Sequence, residues 1–121
     1  MKILVIHWQH IVVEQIKASL DHLQPIIRYY NSGLDGLIAS RMEKFNLIVC
    51  STELPVVTGY ELVRSLRTIS VNKSTPVIFL AEQVDQKVEH LGHALGVAGL
   101  FSNKEFAGAL PQLIEESLIE N

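Results

Sequence analysis

Leu47-Ile48-Val49-Cys50 is a run of consecutive apolar residues with no polar partner alternating through it. A strand with one wet face alternates. One that is apolar at every position is buried on both faces, as in a parallel sheet covered by helices. Four further strand segments punctuate the chain: Ile3 to Ile6, Ile26 to Tyr30, Val77 to Leu80 and Val97 to Phe101. Between them apolar residues recur at the helical steps of three and four. These sets predict five inward helix faces: Val12, Val13, Ile16, Leu20 and Leu23; Leu34, Leu37, Ile38 and Met42; Leu62, Val63, Leu66 and Ile69; Val84, Val88, Leu91 and Leu95; Phe106, Leu110, Leu113 and Ile114.

Five βα units in succession imply an α/β fold of three layers, a flavodoxin-like (βα)5 sandwich with parallel strand order 2-1-3-4-5. Pro25 ends the first helix and Ser32 can cap the second. Pro111 interrupts the last, which predicts a kink or a helix that begins near Leu110. Residues 1–121 suit a single domain, with no linker or repeat. Ligand sites in such sheets form where the carboxyl ends of the strands meet the loops.

A net charge of −3 argues against direct binding to nucleic acid. No apolar run approaches the roughly 20 residues of a membrane helix. Met1-Lys2 leads straight into the first strand, too short a run for a signal-peptide core. The lone cysteine, Cys50, fits a reducing compartment, so the expected location is cytoplasmic.

Four motifs fall at matching places along the chain. Lys2-Ile3-Leu4-Val5-Ile6 opens it, and Ser51 is followed by Pro55 and Gly59 at steps of four. Thr75-Pro76-Val77-Ile78-Phe79-Leu80 forms the fourth strand, and Gly96-Val97-Ala98-Gly99 leads into the fifth. Together they resemble the response-regulator receiver domain family, over essentially the whole chain. In that family an acidic pair and an acceptor Asp hold Mg²⁺, while a hydroxyl and a lysine bind the phosphoryl group. The resemblance places His7 and Trp8 at the acidic pair, Ser51 at the acceptor, Ala81 at the hydroxyl and Asn103 at the lysine. Lys104 follows one residue later as a potential substitute, and Leu100 stands at the aromatic switch position. All of these depart from the family pattern.

The resemblance therefore implies a degenerate member: a signalling receiver domain of two-component or phosphorelay type that lacks its phosphorylation site. The expectation is a protein-interaction module that is not an enzyme and needs no cofactor or metal. Its partner would be another protein or a second copy, met through the face of the fourth helix, fifth strand and fifth helix. The alternative is a regulator that senses a small ligand or metal through the altered strand-end pocket.

The individual residues carry both sharp and plain readings. Ser51 is a nucleophile or a small residue closing a strand, and no Gly-x-Ser-x-Gly elbow surrounds it. His7, His10 and Cys50 have the side chains of a zinc or copper site, although Cys50 also reads as a core residue. His90 and His93 share a helix face, as a metal clip or as a solvated surface. Trp8 either plugs the vacated acidic pocket, the favoured reading, or projects as an interface anchor. Glu53 and Glu82 read as surface charges. His7-Trp8-Gln9-His10 contains no glycine, which argues against a phosphate-cradling loop.

Overall fold

The computed structural model describes residues 1–68 and 70–117, the last four of these by backbone alone. Ile69, the side chain of Ile114 and the chain from Leu118 onward lie outside the described residues. The elements alternate strictly: β1 (Lys2–Ile6), α1 (Ile11–Leu20), β2 (Ile26–Tyr30), α2 (Gly33–Met42), β3 (Leu47–Ser51), α3 (Gly59–Thr68), β4 (Val77–Ala81), α4 (Gln86–Ala94), β5 (Gly99–Ser102) and α5 (Phe106–Ser117). All five strands are parallel in the order β2-β1-β3-β4-β5. This is the flavodoxin-like arrangement the sequence predicts.

The apolar runs behave as their lack of alternation requires. β3 and β4 are buried at every position, and β1 from Ile3 to Ile6. Their side chains feed one core against α1 and α5, built on Ile3, Val5, Val49 and Phe106, and another against α2 and α3, built on Leu4, Ile48, Leu62 and Phe79. β5 begins at Gly99, two residues later than the sequence pattern suggests. α5 starts at Phe106 and runs through Pro111, rather than starting near Leu110.

The second helix departs most from its periodicity. Leu34, Ile38 and Met42 are exposed by 51%, 51% and 81%, so the predicted inward face is wrong at these three positions. The buried face is instead Gly33, Gly36 and Ser40. A methyl group at Gly36 would stand 2.6 Å from Ile6 Cδ1, and one at Gly33 would meet the Val57 carbonyl. Small residues let α2 settle against β1 and the loop before α3, and its large residues point outward. Leu23 also leaves its predicted face: it lies in a 3-10 turn and is exposed.

The end of the sheet remote from the strand carboxyl termini is held by polar side chains. Asn72 is fully buried; its Oδ1 accepts from Phe45 N–H (2.8 Å) and its Nδ2 donates to the carbonyls of Ser40 (2.6 Å) and Glu43 (2.8 Å). The Arg67 guanidinium donates to the carbonyls of Lys73, Thr75, Leu95 and Gly96, tying the loop before β4 to the turn after α4.

Candidate functional site

Four loops meet at the carboxyl end of the sheet: those after β1, β3, β4 and β5. His7 follows the last residue of β1 and is completely buried. Its Nδ1 accepts from the Gln9 backbone N–H at 2.9 Å. That bond leaves the proton on Nε2, which donates to Asn103 Oδ1 at 2.9 Å. Asn103 Nδ2 in turn donates to a Glu82 carboxylate oxygen at 3.1 Å. A continuous polar chain thus crosses the loops after β1, β5 and β4. Burial pushes the His7 pKa below its ordinary value, against the hydrogen bonds to Asn103 and Gln9 and the charge of Glu82, which raise it. The ring is held neutral.

Trp8 is not a plug. It is 48% exposed and stacks on His7, with ring centroids 5.6 Å apart and planes at 19°. The bond from Gln9 N–H to the His7 ring folds the chain back after β1, and Tyr29 Oη donates to the His7 carbonyl at 2.8 Å. The imidazole takes the interior and the indole is turned outward.

Ser51 closes β3 and is 1% exposed. Its hydroxyl accepts from Glu53 N–H (3.2 Å) and donates to the Glu53 carbonyl (3.1 Å). The loop beyond it turns at Pro55 and Val56, and Thr58 caps α3 in a reciprocal pair with Glu61. Gly59 is required by close approach, since a methyl group there would collide with the Ser51 carbonyl. Ala81 ends β4 and is buried. Leu100 is half-buried in the core on the α4 side. Lys104 is exposed in the turn before α5, and Ser102 rather than Asn103 bonds back onto that turn through Glu105.

The structure therefore brings His7, Asn103 and Glu82 into one bonded chain and leaves Trp8 and Lys104 outside it. The part played by Tyr29 and by the Gln9 amide carries no sequence signal: His7 and Asn103 are 96 residues apart, and their meeting depends on strand register.

Mg²⁺, the ion implied by the resemblance, takes hard oxygen ligands in octahedral geometry. His7 offers an imidazole with both nitrogens engaged, Trp8 an indole turned to solvent, and Ser51 a hydroxyl closed on its own loop. These residues do not fit the ion. Cys50 is fully buried, which pushes its thiol up to about 12, and His10 lies outside, pairing with Glu14 and against the Tyr29 ring. Among the described residues no group of three His, Cys, Asp or Glu side chains is arranged to hold a metal. His90 and His93 lie exposed on α4 and line, with Glu89 and Ala94, a shallow depression of about 440 Å³.

Comparison with known proteins agrees with this architecture. Residues 3–114 match the family model of the response regulator receiver domain. The probable transcriptional regulator ycf29 of Porphyra purpurea is 34% identical over 71 residues, covering 59% of this chain and 34% of that protein. The transcriptional regulatory protein HprR of Escherichia coli (strain K12) is 32% identical over 93 residues, covering 75% of this chain and 40% of the relative. The chain spans a third to two-fifths of the length of these curated relatives. The solved structure of chemotaxis protein CheY4 of Vibrio cholerae superposes with a TM-score of 0.82 at 21% identity, covering 97% of this chain and 98% of that one.

Proposed function

Because the chain belongs to the response regulator receiver domain family, whose members serve two-component signalling, we propose that it is a receiver module working by protein contact without phosphorylation. One observation carries this reading. The place where the family resemblance puts an acidic pair and a lysine holds the neutral chain of His7 and Asn103, anchored on Glu82. Such an arrangement satisfies its own hydrogen bonds, with a hydroxyl and no carboxylate at the acceptor position Ser51 and no cation at Asn103. Ala81 has no hydroxyl to add, and a serine at the acceptor position cannot form an acyl phosphate. The framework is kept: Pro55 and Gly59 shape the loop and Arg67 locks the far end. What remains is a rigid scaffold for recognition, with the face of α4, β5 and α5 as one surface for a partner or a second copy.

The test uses Trp8, whose ring stacks on His7. Its fluorescence is followed while Mg²⁺ and then beryllofluoride are added, and intact mass is read after treatment with acetyl phosphate. The expected result is a flat signal and no added mass. A saturable response to Mg²⁺ and beryllofluoride together, or a phosphoryl adduct, overturns the proposal. The ligand-sensing alternative is tested by calorimetry with divalent metals and small anions. The engagement of both His7 nitrogens weighs against it.

A further inference from the structure

We infer that the outer face of α2 and α3 is a docking site for an acidic amphipathic helix of a partner protein. This goes beyond the proposed function: it rests on the protein-contact part of that reading and not on the phosphorylation part.

Leu34, Ile38 and Met42 recur every four residues on α2 and form one exposed stripe. Two more exposed apolar residues stand on the loops that pack at the two ends of α2. The loop after β3 lies over the first turn of α2, where the Val57 carbonyl faces Gly33, and its Val56 is 92% exposed. At the other end Val71 is 55% exposed, between Ser70 and Asn72, which both donate to the Ser40 carbonyl. Soluble domains seldom leave a continuous apolar row on a helix unless something covers it. Leu34 to Met42 spans about 12 Å of helix axis, room for roughly two turns of a partner helix with anchors at matching steps.

The charges around the stripe select the partner. Arg41 reaches across to Ser65 of α3 (2.9 Å), and Arg64 is exposed on the same helix as Ser65. Lys44 lies just beyond the end of α2. All three are exposed and none has an acidic partner among the described residues, where the lysine and arginine ion pairs are Lys2–Glu43 and Arg28–Glu43; Lys44 donates to Thr75 Oγ1 at 3.3 Å. Asp35 and Glu61 sit in the first turns of α2 and α3, so the cations mark the opposite end of the face. In a chain of net charge −3, unpaired cations bordering an apolar row are complementary to a helix that carries acids beside its apolar anchors.

The probe is a synthetic helix of about 15 residues, with leucines spaced to match the stripe and glutamates flanking them. Its twin carries lysine at every glutamate. Amide shifts of the ¹⁵N-labelled domain are followed as each peptide is added. The acidic peptide is expected to shift α2 and α3 saturably, and the basic twin to leave them unmoved. Ile38→Lys and Met42→Lys, both at exposed positions, each weaken the acidic peptide at least about tenfold while leaving the other amides in place. Equal response to both peptides, or shifts confined to α4 and β5, overturns the inference. So does concentration-dependent broadening of α2 without peptide, which would mean a second copy, or stripe-dependent binding to phosphatidylglycerol vesicles in place of the peptide. The mass assay above reads the phosphorylation proposal independently of all these outcomes.

Discussion

Val56 sits at φ 68°, in the left-handed region that β-branched residues avoid. It is almost wholly exposed, so its side chain contributes little packing to offset that strain. Val56→Gly is expected to stabilise the domain by about 1 kcal/mol in urea unfolding. A loss of stability would show that the side chain makes contacts that matter. His7 gives a pH dependence with a definite sign. Burial, the largest influence, holds its pKa below the ordinary 6.5 in the folded state. The unfolded chain therefore binds the proton first as pH falls, and stability is complete above 6.5 and declines below it. His7→Gln should flatten the decline in that window in a series of thermal melts; an unchanged slope would place its origin elsewhere. The strand-end positions were legible through the family resemblance, since Ser51, Pro55 and Gly59 stand in register with its motif. Which of two neighbours enters the pocket was not. Trp8 is the larger apolar group, yet His7 goes inside because it satisfies both ring nitrogens there, with Gln9 and Asn103.

At the level of elements, hydrophobic period found the five strands and five helices but misjudged the inward side of α2, and on α4 its predicted residues Val88 and Leu91 are only half-buried while Gly92 is buried. Period counts apolar residues and gives no weight to the absence of a side chain. Gly33 and Gly36 face the sheet because closeness to Ile6 and Val57 leaves no room for more. Two substitutions separate the alternatives. Gly36→Ala should cost about 1–3 kcal/mol through overpacking against Ile6. Ile38→Ser should change stability by no more than about 0.5 kcal/mol, as exposed positions do. Chemical denaturation of both variants checks this, and the reversed ranking would mean that α2 packs on its apolar face. α3 shows the contrasting case. Leu62, Val63 and Leu66 are all buried where the period put them, because the one glycine of α3, Gly59, stands at its first residue and leaves the rest of the inward face to them.

Across the whole molecule the two ends of the sheet have different jobs. The end remote from the candidate site is closed by Asn72, which joins the end of α2, the start of β3 and the loop before β4 in one buried node. Removing it orphans several groups at once, and Asn72→Ala should lower stability by about 3 kcal/mol, read from the shift in urea midpoint. A change below about 1 kcal/mol would mean that water replaces the side chain without loss. The sequence marked this segment only as a polar loop, because its partners lie as far as 32 residues away. The other end holds the polar chain of His7, Asn103 and Glu82. On the proposed reading, a carboxylate introduced at Ser51 alone would be a buried charge with no cation beside it, and a lysine introduced at Asn103 alone would face a ring that already carries its proton outward. On that reading each single replacement is uphill, which makes the site a ratchet: its surface can change more readily than its interior can take up phosphoryl chemistry.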